Sequence, residues 1–355
     1  MSTTEHKKEL EELILTVIRE NGSDLHLGAG RVPVIRVAGE LIFLTKYPVC
    51  SQEDMMGMLG EILSKEKIAD FTKNQEADFS YDFHGEARLR GNAFFQKGLV
   101  NLAFRLIPKV KTLKELHLPE ILTELSRKKQ GFFLVVGPVG QGKSTTLSAM
   151  INLINNERAC NIITIEDPIE YVYTPNKSII NQREVGIDTQ DFQTGLKSVF
   201  REDVNVIMIG EMRTPETIAT AVTAAETGHL VFSTLHTNNA SQTIDRIIDS
   251  FPSGQQDQIR AQLSSSLLGI FSQRLIPRIS GGLIPAYELL LNNNAVSNLI
   301  REKLTHEIDV VIETGMESGM VDLNHSLVEL VRAGEISIES ARAYSLNPKG
   351  LERMI

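Results

Sequence analysis

Phe132-Phe133-Leu134-Val135-Val136-Gly137-Pro138-Val139-Gly140-Gln141-Gly142-Lys143-Ser144 is the stretch that decides the fold. Five apolar residues without polar alternation predict a strand covered on both faces. The next eight fit G-x-x-x-x-G-K-[ST], and Thr145-Thr146-Leu147 leads into a helical pattern. A strand, a glycine-rich turn and a helix in that order let backbone amides turn onto phosphate oxygens at the positive end of a helix dipole. Gly137, Pro138, Val139, Gly140, Gln141, Gly142 and Thr145 form the candidate cradle. Lys143 would reach the β and γ oxygens, and the Ser144 hydroxyl would hold Mg²⁺. A glycine-rich turn with a chance lysine is the competing reading, and the complete motif in its proper context outweighs it.

Downstream, Ile162–Ile165, Val204–Ile209 and Leu230–Ser233 are further apolar β runs. Helical stretches near Asp191–Phe200 and Pro215–Glu226 separate them, which predicts a mainly parallel sheet with helices on both faces. Helical patterns continue over 241–249, 255–275, 294–302, 322–332 and 337–344. In open α/β sheets ligands gather beyond the carboxyl ends of strands, so the residues there become candidates. Glu166, Asp167 and Glu170 follow one such end, where one carboxylate would polarise a water and another would hold Mg²⁺ through water. Alone they would pass for a solvated loop broken by Pro168. Glu211 ends the run Val206-Ile207-Met208-Ile209-Gly210, the position from which an acid orders Mg²⁺ and water. Arg213 is either a surface charge or that acid's partner. His229 and His236 bracket the next strand, and either packs structurally or reports on a γ-phosphate.

Upstream the pattern differs. Leu10, Leu13, Ile14, Val17 and Ile18 predict an amphipathic helix stopped by Asn21-Gly22. Short β runs follow around Leu25 and Leu27, from Val32 to Val37 and from Leu41 to Leu44, with a turn at Ala38-Gly39-Glu40. Ser51 to Asp54 would cap a helix carrying Met55, Leu59, Ile62 and Leu63. Asp78–Phe83, Ala87–Phe95 and Leu99–Ile107 read as three more strands. This is a small α+β domain over 1–110, joined through Lys109–Lys114 to an α/β domain over 111–355. Arg88, Arg90 and Arg105 project from its strands. They make an ordinary charged face unless the protein forms a ring, in which case they could stabilise transition-state charge on a neighbour's nucleotide.

The chain has 355 residues, 42% hydrophobic and 23% charged, so disordered and fibrous classes are excluded and two domains are expected. A net charge of −9 gives no basic field for nucleic acid. Cys50 and Cys160 build neither a disulfide framework nor a four-cysteine zinc site, and suit a reducing cytosol. The N-terminus lacks the apolar core of a secretory signal, and no apolar run approaches the roughly 20 residues of a bilayer span.

Together these residues resemble the PilT-type ATPases of type IV pilus machines, within the wider secretion ATPases. The likeness rests on Gly22-Ser23-Asp24-Leu25-His26-Leu27, the run ending Gly142-Lys143-Ser144-Thr145-Thr146-Leu147, and the Asp box Ile165 to Tyr171. It continues through Gln182-Arg183-Glu184-Val185-Gly186, the Walker B segment Gly210-Glu211-Met212-Arg213, and the His box from Glu226 to Asn238. The resemblance implies an α/β fold: a RecA-like P-loop core, a smaller PAS-like N-terminal domain and a helical C-terminal portion. It implies a cytoplasmic homohexameric motor that hydrolyses ATP with Mg²⁺ to power pilus retraction and twitching. Such a motor docks on an inner-membrane platform protein without entering the bilayer, alongside a paralogous pilus ATPase in some systems. Carried onto matching positions, Lys143 and Ser144 bind phosphate and Mg²⁺, and Glu170 is the favoured catalytic carboxylate with Glu166 in reserve. Glu211 is the Walker B acid and metal ligand, His229 and His236 form the His-box pair, and Arg88, Arg90 and Arg105 reach across the interface.

Absence of a tetracysteine element favours retraction over assembly ATPases. Val139 and Gln141 replace the usual small hydroxyl residues as neutral fillers. The family's Ala-Ile-Arg-Asn-Leu-Ile-Arg-Glu element appears as Ala295-Val296-Ser297-Asn298-Leu299-Ile300-Arg301-Glu302, with Ser297 in place of arginine. A helix there would bury Val296, Leu299 and Ile300 and leave Ser297 and Arg301 on one outer face, so that an arginine at 297 would be tolerated. An accessory PilU-like ATPase is the alternative within the family, and a RecA-like nucleic-acid motor the alternative outside it.

Overall fold

Leu10, Leu13, Ile14 and Val17 are all fully buried along one face of α1 (Thr3–Arg19), as their spacing requires. The computed structural model describes residues 3–37, 39–85 and 87–355, so Met1 and Ser2 at the N-terminus and Ala38 in the expected turn lie outside the described residues. The chain divides into two compact units, Met1–Lys109 and Val110–Ile355.

In the N-terminal unit α1 is followed by β1 (Gly22–Gly28), β2 (Val34–Val37), β3 (Glu40–Phe43), α2 (Gln52–Ile62), α3 (Lys65–Asn74), β4 (Glu76–Phe83), β5 (Ala87–Gln96) and β6 (Leu99–Leu106). The strands form one sheet in the order β3-β2-β1-β6-β5-β4, antiparallel throughout. Ser51 and Asp54 make the reciprocal capping box at the start of α2. The sequence pattern missed α3 because it buries only Phe71; its start is marked by the Ser64 cap. Strand alternation sends Leu89 and Phe104 inward and leaves Arg88, Arg90 and Arg105 on the other face, with Arg90 directly opposite Arg105.

The C-terminal unit begins with α4 (Ile121–Ser126), β7 (Gly131–Val136), α5 (Lys143–Glu157), β8 (Asn161–Glu166), β9 (Ile179–Glu184) and α6 (Phe192–Val199). It continues with β10 (Val206–Ile209), α7 (Pro215–Glu226), β11 (Leu230–Leu235), α8 (Ala240–Asp249), α9 (Ser253–Ser266), β12 (Leu267–Pro277) and β13 (Leu283–Leu291). The sheet order is β13-β12-β7-β11-β10-β8-β9, parallel except for the β12–β13 pair. Phe132, Leu134 and Val136 pack into one core layer with Ile163, Ile207 and Val231, while Phe133 and Val135 face Leu147, Met150 and Val206 in the other. Each such burial contributes about 1.5–3 kcal/mol, and central β7, covered on both sides, has no polar alternation.

The single helix expected over 255–275 is two elements. Leu263, Leu267 and Ile270 recur at helical spacing, yet α9 ends at Ser266 and the rest becomes β12, bonded to β7 on one side and β13 on the other. A Cβ at Gly269 would come within 2.5 Å of the Leu290 carbonyl oxygen, so the close strand approach requires glycine there.

Beyond β13 come α10 (Asn294–Arg301), α11 (Ile308–Thr314), α12 (Leu323–Arg332), α13 (Ile338–Tyr344) and α14 (Pro348–Glu352). Leu323, Leu327, Ile336, Ala341 and Leu351 pack on Ile276, Ile284 and Ala286 of the β12–β13 hairpin. Among the described residues no helix is long and apolar enough to cross a membrane.

Candidate active site

Because β7, β8, β10 and β11 run parallel, the loops after them emerge at one sheet edge and enclose a cleft of about 640 Å³. Its walls include Lys143, Ser144, Glu166, Glu170, Glu211 and His236. The phosphate loop is shaped by its glycines: Gly140 and Gly142 have φ of 77° and 78°, and a Cβ at Gly137 (φ 147°) would meet the Gln273 carbonyl oxygen at 2.5 Å. No side chain caps α5, so its first-turn amides open on the cleft, as a phosphate requires.

Lys143 is 7% exposed. Its Nζ donates to the Gly137 and Pro138 carbonyls at 2.9 and 2.8 Å and lies 3.2 Å from His236 Nδ1. Burial pushes the amine down to about 8, against the pull of Glu170 and Glu211. The same burial, with Lys143 beside it, lowers His236, keeping its ring neutral. Nδ1 then accepts from Lys143, and the ring proton sits on Nε2, 4.0 Å from Glu211 Oε2. Glu211 is also paired with Arg213, and Thr234 Oγ1 donates to the Gly210 carbonyl at 2.6 Å to fix that turn.

The two Asp-box carboxylates occupy different surroundings. Glu166 is 5% exposed and accepts from Thr164 Oγ1 at 2.7 Å and Gln182 Nε2 at 3.2 Å; burial raises its pKa. The backbone N–H of Glu170 donates to Glu166 Oε2 at 3.4 Å, and the Glu170 side chain is exposed on the cleft wall. Glu166 is therefore tied into the segment, while Glu170 is open to the cleft.

Four side-chain roles are not legible in the sequence. Gln273 Nε2 donates to the Gln141 carbonyl at 2.8 Å and its Oε1 accepts from Thr146 at 2.6 Å, while Gln141 Oε1 accepts from the Leu275 N–H at 2.7 Å. Gln141, expected to be a neutral filler, thus pins the phosphate loop to β12. Arg274 Nη2 donates to the Asn238 carbonyl at 3.0 Å and steadies the segment after His236. Tyr171 bonds Thr145 at 2.7 Å. Gln141 and Tyr171 lie within recognisable motifs, whereas Gln273 and Arg274 fall inside the stretch whose spacing predicts a helix.

His229 does not share the cleft. It precedes β11 whereas His236 follows it, so the whole strand separates them; its Nδ1 lies 2.9 Å from the Ala224 carbonyl and its ring meets the edge of Phe200. Arg88, Arg90 and Arg105 belong to the N-terminal unit, where Arg105 Nε donates to Asp24 Oδ1 at 2.9 Å.

Comparison with known proteins adds the lineage. Residues 7–308 match the family described as type II/IV secretion system protein. The chain is 43% identical to the type IV pilus retraction ATPase PilT of Pseudomonas aeruginosa, covering 96% of this chain and 99% of that protein. It is 40% identical to the type IV pilus ATPase PilU of the same organism, covering 98% and 91%. A crystal structure of the pilus retraction motor PilT with bound ADP superposes with a TM-score of 0.90 at 45% identity, over 97% of this chain and 98% of that one.

Proposed function

The chain belongs to the type II/IV secretion system protein family, and from that premise we propose that it is an ATP-hydrolysing motor that retracts type IV pili and drives twitching motility. It is an ATPase of the PilT type. The observation that carries the proposal is near full-length likeness to a retraction ATPase, joined to a cleft in which Lys143, Glu170, Glu211 and His236 converge.

Lys143 and the amides of residues 137–145 bind the triphosphate, and the charge Lys143 now shares with two carbonyls turns to the β and γ oxygens. Glu170, exposed on the cleft wall, accepts a proton from the attacking water. Glu166 positions the Glu170 backbone, and His236 senses the γ-phosphate between Lys143 and Glu211. Ser144 and Glu211 offer hard oxygen donors that fit Mg²⁺, an ion bound by few protein groups and largely by phosphates and water. Mg²⁺ would neutralise charge on the phosphates.

In a homohexameric ring Arg88, Arg90 and Arg105 would approach a neighbour's nucleotide. Their shared sheet face supports this, since Arg90 lies directly opposite Arg105, and Asp24, which accepts from Arg105 at 2.9 Å, offsets the like-charge repulsion of the pair. His229 would then act through the fold and not on the nucleotide of its own subunit. The domains proposed are a PAS-like unit over 1–110 and a RecA-like ATPase unit with C-terminal helices over 111–355. The ring works in the cytoplasm, peripheral to the inner membrane, on a platform protein.

Deleting the gene and restoring it as wild type or Lys143→Ala tests the proposal. Retraction and ATP turnover should return only with wild type; retraction by Lys143→Ala would overturn it. The 40% identity to PilU favours one second reading, an accessory ATPase. It would be preferred if deletion leaves retraction intact until a paralogue is also removed.

A further inference from the structure

His6 in α1 is 4% exposed, and among the described residues its Nδ1 has no hydrogen-bond partner. Buried imidazole nitrogens ordinarily find a donor or acceptor, so an orphan needs an explanation. It points at carboxylates: Asp54 Oδ1, on α2, is 3.8 Å away, and Glu9, one helical turn along α1, shares the same face. One ligand atom from each of His6, Glu9 and Asp54 lies within 4.8 Å of the other two.

The surrounding structure accommodates this cluster. Asp54 spends Oδ2 on the Ser51 N–H and hydroxyl, at 2.8 and 2.7 Å, which fixes the carboxylate and leaves Oδ1 turned to the histidine. A Cβ at Gly57 would come within 2.3 Å of the His6 ring, so α2 carries a glycine where the imidazole enters. A neutral imidazole and two carboxylates sum to −2, the complement of a divalent cation.

We infer that His6 Nδ1, Glu9 and Asp54 form a binding site for a divalent transition-metal ion, Zn²⁺ foremost, that ties α1 to the start of α2. One imidazole with two carboxylates suits Zn²⁺ and its first-row neighbours; Mg²⁺ and Ca²⁺ prefer all-oxygen shells. Water completes the shell, and the ion is structural, remote in sequence from every group assigned to hydrolysis.

The test uses the full chain, free of chelator and nucleotide, titrated with Zn²⁺ against a chromophoric competitor and with Co²⁺ by visible absorption. Wild type should bind one Zn²⁺ per chain at this site, give a Co²⁺ ligand-field spectrum and melt higher with metal. His6→Gln and Glu9→Gln should each weaken Zn²⁺ by about tenfold or more and abolish the metal-dependent rise in Tm. If His6→Gln fails to fold, the partly exposed Glu9 carries the test, with circular dichroism confirming its fold. No binding by wild type at 100 µM Zn²⁺, or equal affinity in wild type and a folded Glu9→Gln, would overturn the site and leave an adventitious ion only.

Discussion

Two histidines bracket β11 and meet opposite circumstances. At the carboxyl end His236 stands between a buried lysine and a carboxylate, beside loops from three other strands. At the amino end His229 touches its own helix–strand turn and one phenylalanine. Both lie in one motif, and nothing in their spacing separates a ligand-facing residue from a packing one. Strand direction does. A parallel sheet collects its loops at one edge, so chemistry accumulates there while the opposite edge only has to close the fold.

The hardest blow to that contrast falls on the carboxylates. Glu170→Gln should lower ATP turnover by about 10²–10⁴-fold, the usual worth of a positioned general base, with ATP affinity changed only a few-fold. Glu166→Gln should lower turnover less and also lower Tm, because its carboxylate holds Thr164, Gln182 and the Glu170 backbone. Steady-state kinetics and calorimetry on both variants decide it; if Glu166 proves the costlier to kcat at unchanged stability, the two roles are exchanged.

The histidine pair is the direct comparison. His236→Ala removes a contact to a charged group worth about 1.5–3 kcal/mol, so turnover should fall roughly 10–100-fold. His229→Ala should stay within about twofold in kcat and lose about 1 kcal/mol of stability with its hydrogen bonding to the turn before β11. Equal catalytic losses would mean that the opposite edge takes part in hydrolysis, as it would if a neighbouring subunit's nucleotide reached it.

Legibility followed locality. The phosphate loop, β7, the acid after β10 and the residues flanking β11 each announce themselves within a dozen residues, because local backbone demands and strand burial write directly into sequence. Gln273, Arg274 and the β12–β13 hairpin did not. Leu263, Leu267 and Ile270 carry a helical period that pairing with β7 and β13 overrides, and a contact such as Gln141 to Leu275 spans 134 positions. β9 was missed as well, since its half-exposed polar sequence Ile179–Glu184 shows little apolar alternation. The unequal burial of Glu166 and Glu170, four residues apart in one acidic run, likewise became visible only in three dimensions.

Lys143 gives a pH-dependent version of the same contrast. An amine lowered from 10.5 to about 8 binds fewer protons in the folded than in the unfolded chain between those values, so its effect makes the nucleotide-free protein gain stability as pH rises through that window. Phosphate restores the charge, so above about pH 8 ATP binding should take up a proton and its affinity should fall by up to about tenfold per pH unit. Calorimetry in buffers of different ionisation enthalpy measures the uptake. Lys143→Arg, which stays charged, should show none, and an equal uptake in that variant would assign the proton elsewhere.

The smallest effect belongs to α10, which does not line the cleft at the carboxyl end of β11. The sequence suggested an outward face on which Ser297 could become arginine at no cost. In the structure α10 buries Val296 and Ile300, but Ser297 is half-buried and its one hydroxyl proton is shared between the Ser264 carbonyl at 2.7 Å and Asn292 Oδ1 at 3.1 Å. Arg301, more exposed, reaches the Ser264 hydroxyl at 3.4 Å and pairs with Asn298. Serine at 297 is therefore a stitch between α10 and the end of α9. Ser297→Ala should cost about 1 kcal/mol, a Tm decrease of roughly 2–4 °C, at unchanged turnover. Ser297→Arg should cost more, because it breaks the same two bonds and must also clear the α9 terminus. Arg301→Ala should leave turnover within about twofold and reduce retraction, if the exposed guanidinium meets the platform or tunes ring motion. Thermal melts, ATPase rates and retraction on these three variants separate the stitch from the output: equal loss of turnover and retraction in Arg301→Ala would make α10 part of the ring's support, and a Ser297→Arg protein as stable as wild type would show that α9 yields.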